Sequence, residues 1–133
     1  MNAIAGQHAL SGSLLAQRLR RHVEGEVLFS DADRGRYATD ASIYQVQPIG
    51  VLIPRTAEDV AAAMAISREE GVPVLPRGGG TSQCGQTVNR ALVLDCTPHL
   101  RRVLAVEGET ARVEPGITLG ALNAALKPRG LFF

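Results

Sequence analysis

The sequence contains no tryptophan, and its two tyrosines and three phenylalanines make up only 4% of 133 residues. So small a supply of flat rings argues against a surface that stacks nucleic-acid bases. An excess of either charge is missing as well: 14 Lys and Arg stand against 13 Asp and Glu, for a net charge of +1. Without a basic field, neither nucleic acid nor an anionic membrane surface is an expected partner. Cysteine is limited to Cys84 and Cys96 with no C-x-x-C between them, which fits a chain kept in a reducing, cytoplasmic compartment. His8, His22 and His99 are too scattered to share a metal ion. No apolar run approaches the roughly 20 residues that a transmembrane helix needs. A secretory signal carries its charge before the apolar run, whereas Arg18, Arg20 and Arg21 follow Leu14-Leu15.

What the chain has instead is glycine, concentrated in one place. The stretch Val74–Asp95 encloses Gly78-Gly79-Gly80 and Gly85 between the apolar runs Val74-Leu75 and Leu92-Val93-Leu94. Three consecutive glycines weaken any helix or strand, because the unfolded chain has more freedom to lose. Lacking Cβ atoms, their successive N–H groups can turn into one concavity and approach an anion closely. Thr81, Ser82 and Thr87 add hydroxyls, and Arg77 adds a positive charge. The expectation is a loop that wraps a phosphate or pyrophosphate; a flexible surface turn is the plainer alternative.

Two familiar phosphate templates fit imperfectly. Gly80 to Thr87 matches G-x-x-x-x-G-K-[ST] except that Gln86 replaces the lysine. That lysine supplies the charge that reaches the β- and γ-phosphates, so ATP binding by a degenerate Walker loop is kept only as the alternative function. The dinucleotide pattern G-x-G-x-x-G begins at Gly78 and Gly80 but meets Gln83 at its third glycine, and no helical pattern follows.

Along the chain, residues 1–12 are expected to be a disordered tail and residues 13–48 an N-terminal helical segment. From Ser13 to Val23, Leu15, Leu19 and Val23 recur at helical spacing with Arg18, Arg20 and Arg21 opposite. A mitochondrial presequence competes with this local helix, since no acidic residue precedes Glu24. Asp31 is a candidate cap for a short turn. Gly50–Ile53 is a predicted strand, and Thr56 with Asp59 opens a helix through Glu70. Its predicted inner stripe is Val60, Ala63, Met64 and Ser67, with Gly71 as its left-handed stop. A second strand begins near Pro73, so the pattern is a βαβ unit with parallel strands and a right-handed crossover. The glycine loop then leaves that second strand at its carboxyl end, where open α/β sheets place ligands. Val103–Val106 and Ala111–Val113 alternate as a β-hairpin, and Thr118 caps a helix carrying Leu119, Leu122 and Leu126. The apolar finish Leu131-Phe132-Phe133 is read as a cut edge.

Pro76-Arg77-Gly78-Gly79-Gly80-Thr81-Ser82, followed by Gly85 and Leu92-Val93-Leu94-Asp95, resembles the pyrophosphate loop of FAD-linked oxidases related to vanillyl-alcohol oxidase and p-cresol methylhydroxylase. Gly50–Val60, Gly71–Val74 and Val113-Glu114-Pro115-Gly116 extend the likeness over about residues 37–133. Tyr37-Ala38-Thr39-Asp40-Ala41-Ser42-Ile43-Tyr44 points to bacterial dehydrogenases of D-2-hydroxy acids that carry a flavin domain and, further along, an iron–sulfur domain. The resemblance implies an α/β (α+β) fold for residues 49–133: the first lobe of a p-cresol-methylhydroxylase-type FAD-binding domain, with a small parallel sheet, a hairpin and flanking helices. It implies that Pro76, Arg77, Gly78, Gly79, Gly80, Thr81 and Ser82 hold the FAD pyrophosphate. Gly85 and Gln86 would lie toward the ribityl chain or ring, and Pro115 and Gly116 near the adenine-side half. Residues 30–48 would pack beside the cofactor domain, with contact to the flavin and a solvated loop both open. Thr81 stands where covalently flavinylated relatives carry histidine, so noncovalent FAD is expected. Cys84 is read as a small residue filling the loop rather than a thioether or nucleophile. A small 2-hydroxy acid and an electron acceptor are the implied partners, with a peripheral place at the inner membrane left open. No catalytic residue is assigned within these 133 residues.

Overall fold

The architecture is that of a computed structural model that describes residues 14–133. The expected disordered tail, residues 1–12, lies outside the described residues. Chain order gives helix α1 over residues 14–22, strand β1 (Glu26–Leu28), helix α2 (Asp31–Arg36), strand β2 (Gly50–Ile53), helix α3 (Ala57–Glu69) and strand β3 (Val74–Arg77). Strands β4 (Leu92–Asp95), β5 (Val103–Glu107) and β6 (Thr110–Val113) follow, then helix α4 (Leu119–Leu126) and a 3-10 turn over Lys127–Arg129.

The main sheet has the order β1-β2-β4-β3. Strands β2, β4 and β3 run parallel, with Val51 opposite Val93 and Leu75 opposite Val93, while β1 is antiparallel to β2. The predicted βαβ unit is therefore present but split: β2 and β3 are parallel strands joined by α3, and β4 lies between them. Strand β4 reads L-V-L-D and is buried along its whole length, as expected for a strand covered on both faces of a parallel sheet. Strand β1 was not expected. Its three residues pair with Val51–Ile53, so the stretch expected to be helical contributes an edge strand as well as α1.

The core gathers Leu15 and Leu19 of α1, Leu52 of β2, Ala63 and Ile66 of α3, and Leu92 and Leu94 of β4. Thr56 caps α3 as expected, accepting from the Asp59 N–H at 3.1 Å. The Asp59 carboxylate accepts from the Arg55 N–H and the Glu24 N–H, both at 2.8 Å, fixing the helix start to the entry of β1. Ser30, not Asp31, caps α2, taking the Asp33 N–H. The inner stripe of α3 is Asp59, Ala63, Ile66 and Ser67; Met64, placed inside by its spacing, is half-exposed. Gly71 ends the helix region at φ 65° as expected. The hairpin β5–β6 turns at Gly108 (φ 57°) and carries a register shift near Val103.

One polar atom in this core works against it. The Ser67 hydroxyl is buried and has no partner among the described residues. Burying a hydroxyl without a hydrogen bond costs about 1–3 kcal/mol. Ser67→Ala is expected to raise the unfolding free energy by about 1 kcal/mol, read from the midpoint of urea unfolding; a loss of stability would contradict the burial described.

Candidate functional site

Because β4 runs parallel to β3 and pairs beside it, the chain must travel from the carboxyl end of β3 back to the amino end of β4. Residues 78–91 make that return. Two backbone bonds close it at the far end, Leu92 N–H to Pro73 C=O at 2.8 Å and Ile49 N–H to Ala91 C=O at 2.9 Å. The glycine-rich part thus sits at the carboxyl edge of the sheet, beside Asp95 of β4, which pairs with Arg77.

At the start of the loop, Gly78 and Gly79 are exposed. A Cβ at Gly78 would meet nothing within 4 Å, and one at Gly79 only the Thr81 methyl at 3.6 Å; neither has positive φ. The fold itself therefore has no need for glycine at either position. Gly80 and Gly85 differ. Gly80 has φ 66° and a Cβ there would lie 2.5 Å from Arg77 Nη2, while Gly85 has φ 77° with the Tyr44 ring at 2.6 Å. Among the described residues, no protein acceptor takes the N–H of Gly78, Gly79, Gly80, Thr81 or Ser82. Ser82 donates its hydroxyl to the Gln86 side-chain carbonyl, so two predicted site residues are joined across the loop. Pro76 lies in β3 itself, and Thr81 and Gln86 are exposed.

Arg77 is held by partners inside the protein. Its Nη1 donates to the Thr87 carbonyl at 3.0 Å and to the Tyr37 carbonyl at 3.4 Å, and its Nη2 to the Thr39 carbonyl at 2.8 Å. The guanidinium also lies over the Tyr37 ring, 5.3 Å from its centroid. Through these carbonyls the side chain staples residues 37–39 to the far side of the loop. Its charge remains beneath the loop, where it favours an anion.

Tyr37 completes that staple from the other side. Its hydroxyl donates to Asp95 Oδ2 at 2.7 Å, and burial together with that carboxylate pushes its pKa up to about 12. Asp95 Oδ1 accepts from the Thr97 N–H at 3.0 Å and hydroxyl at 2.6 Å. Asp40 holds the loop farther along, its Oδ2 accepting from the Thr87 hydroxyl at 2.9 Å and the Thr87 N–H at 3.4 Å. Hydrogen bonds from Ser42 and then Thr87 lower its pKa from 3.8 to about 2. Sequence reasoning quoted Tyr37, Asp40 and Asp95 only as parts of family-like stretches and gave none of them a role, since such stretches say nothing about partners 40 to 60 positions away.

Pro115 and Gly116 reach the same edge indirectly. Gly116 is buried, donates its N–H to the Leu100 carbonyl at 2.8 Å, and leaves no room for a Cβ against the Cys96 carbonyl. Cys96 in turn donates its N–H to the Arg77 carbonyl at 3.4 Å. The corner is stiffened by buried Glu114, which accepts from Arg102 N–H, Nε and Nη2 at 2.7 to 3.0 Å. Gly116 thus has a packing reason of its own, and Pro115 is exposed beside it. The described residues hold no cluster of side chains suited to a metal ion. A groove of about 960 Å3 lies elsewhere, between the hairpin and α4, lined by Val106, Ala111, Leu119, Leu122, Phe132 and Phe133 among others. Of the candidate site residues only Pro115 lines it, and Glu109 and Glu114 in its wall disfavour an anion.

The Walker alternative requires the loop to open a helix that receives the phosphates. Here no helix follows Thr87, the chain enters β4, and the Thr87 hydroxyl is committed to Asp40. That reading is therefore withdrawn.

Residues 48–133 match a family described as an FAD binding domain. The chain belongs to this FAD-binding domain family. Over 114 residues the chain is 42% identical to the D-2-hydroxyglutarate dehydrogenase of Pantoea ananatis, covering 82% of this chain and 11% of that protein. The glycolate oxidase subunit GlcD of Bacillus subtilis is 36% identical over 118 residues, covering 84% of this chain and 25% of the subunit. The chain therefore spans between about a tenth and a quarter of the length of these relatives. Among solved structures, a 4-ethylphenol oxidase from Gulosibacter chungangensis superposes with a TM-score of 0.76 at 21% identity, covering 92% of this chain and 25% of that one. p-Cresol methylhydroxylase superposes at 0.68 and 17% identity, covering 90% and 25%. The fold is accordingly the mixed α/β, p-cresol-methylhydroxylase type. No helix among the described residues is long and apolar enough to cross a membrane.

The Asp40 contact carries its own pH signature. Because the carboxyl titrates lower when folded, its stabilising effect is complete above the ordinary value of 3.8 and is lost as pH falls toward about 2. The difference in thermal midpoint between the wild type and Asp40→Asn should therefore be present at neutral pH and should close over that acidic window, measured by scanning both proteins across pH.

Proposed function

We propose that this chain is the diphosphate-binding portion of an FAD-dependent oxidoreductase acting on a D-2-hydroxy acid, of the D-2-hydroxyglutarate or D-lactate type. The observation that carries the reading is the state of residues 78–82, whose amides have no acceptor among the described residues at the carboxyl end of β3. Two of them, Gly78 and Gly79, are glycines for which the fold has no use. Glycine where neither φ nor packing asks for it leaves close approach from outside as the remaining reason. The residues suit a noncovalent dinucleotide: Gly78 to Ser82 offer backbone donors, Thr81 and Ser82 offer hydroxyls, and Arg77 places a cation behind them. Gly85 and Gln86 continue the same wall toward the ribityl end. Pro115 and Gly116 border the site through Cys96. Bound there, FAD would supply the acceptor for the hydride removed from the C2–H of the hydroxy acid as it becomes a 2-oxo acid. The residues that bind substrate carboxylate or take its hydroxyl proton are not among those assigned here. We place the protein in the cytoplasm, with an electron acceptor as its second partner.

The complete gene product should purify with the visible absorbance of bound flavin; colourless protein that also fails to take up added FAD would defeat the reading. Gly79→Leu separates ligand contact from folding, because the position has ordinary φ and open space around it. The variant should keep the wild-type thermal midpoint of the apoprotein and lose most of its flavin, by at least about tenfold in affinity for a side chain blocking a fitted backbone cradle. Equal flavin content in the variant would remove the loop from the site.

A further inference from the structure

Residues 37–46 form a strap laid against the glycine loop. The strap closes on itself through the bridge between Thr39 and Gln45 and the Val46 N–H to Ala38 carbonyl bond at 2.8 Å. Asp40 Oδ1 accepts the Ser42 N–H at 2.9 Å, setting the turn. Three contacts then cross to the loop. The Ala41 N–H donates to the Gly80 carbonyl at 3.0 Å, Asp40 Oδ2 takes both donors of Thr87, and the Tyr44 ring lies against Gly85. All three fall on residues 80–87, and none uses an amide of residues 78–82.

A loop so rich in glycine loses much conformational freedom when it is ordered. If that ordering waits until a ligand binds, the apparent affinity falls by the fraction of time the loop spends in the competent shape. The strap does the ordering beforehand. It pins the loop by the Gly80 carbonyl and by the Thr87 hydroxyl and N–H while leaving the anion-facing amides unspent. We propose that Asp40 is a positioning residue for the dinucleotide site: it touches no ligand, and through Thr87 and the strap it holds residues 78–82 in the shape that receives the diphosphate. The chemistry requires an acceptor with no hydrogen to offer. Oδ1 faces one donor and Oδ2 faces two, so an asparagine amide nitrogen at either place would meet an N–H or O–H head-on. The inference deepens the proposed FAD reading and rests on it for the identity of the ligand, though not for the role of the strap.

The test compares wild type, Asp40→Ala, Thr87→Val and Thr87→Ser in the complete gene product, by FAD titration of the apoprotein and by amide hydrogen exchange. Asp40→Ala and Thr87→Val should each weaken FAD binding about tenfold, the penalty when a loop is competent about a tenth of the time. They should also speed exchange at the Ala41 amide, which neither substitution removes, while the amides of β2 and β4 keep their protection. Thr87→Ser, which retains the hydroxyl, should restore both affinity and protection. FAD binding in Asp40→Ala equal to wild type would overturn the proposal, as would an unchanged Ala41 amide. Wild type that takes up no FAD, combined with a loosened Ala41 amide in Asp40→Ala, would sink the cofactor reading while upholding Asp40 as the residue that orders the loop.

Discussion

Parallel pairing of β4 between β2 and β3 is the constraint from which the rest of this structure follows. Two parallel neighbours cannot be joined by a tight turn; the chain must come back along the sheet before it can start the second strand. In most α/β units a helix makes that return. Between β3 and β4 the return is instead residues 78–91, with no helix. The loop begins at the carboxyl edge of the sheet, the edge at which ligands meet open α/β folds. Burial of all four residues of β4 fixes both ends of this path, so the loop cannot drift away from that edge without unpairing the central strand.

A long glycine-rich return would be soft if nothing held it, and the structure spends its few polar side chains on holding it. Arg77 donates to three carbonyls and lies over Tyr37; the Tyr37 hydroxyl is anchored on Asp95; Asp40 takes the Thr87 side chain. Arg77 and Asp95 are register partners at the ends of neighbouring strands, so a single tyrosine inserted between them ties the strap to two strands at once. These groups act from behind the loop. Its front is left as backbone, and backbone N–H groups that no acceptor among the described residues takes are what an anion can use. The two kinds of glycine express the same division of labour. Gly80 faces Arg77 and Gly85 faces Tyr44 of the strap, both with positive φ, whereas Gly78 and Gly79 are open and have no constraint from the fold.

Several elements were legible because local rules decided them. The Thr56 cap, the Gly71 stop, the β5–β6 hairpin and the Thr118 cap were read directly from residue type and spacing. Met64 was misplaced because Val60, Met64 and Ser67 satisfy helical spacing as well as the true stripe does, and a stripe one position over is set by what α3 packs against. Strand β1 escaped notice since three residues are too few for an alternation, and its stability comes from β2 alone. The order β1-β2-β4-β3 was not visible either. Sequence shows β2 and β3 as strands and Leu92-Val93-Leu94 as an apolar run, but insertion of that run between the two strands is a choice among sheet arrangements with identical local patterns.

The sequence by itself determined the chemistry of the glycine loop and its position after a strand, since these depend on the absence of Cβ atoms and on hydroxyls a few residues apart. Only the tertiary structure decided what Arg77, Tyr37, Asp40 and Asp95 do. Their partners lie across the sheet edge and dozens of residues away, and a charged side chain pairs with whichever acceptor the fold brings within about 3 Å, a distance that neighbourhood in sequence does not encode.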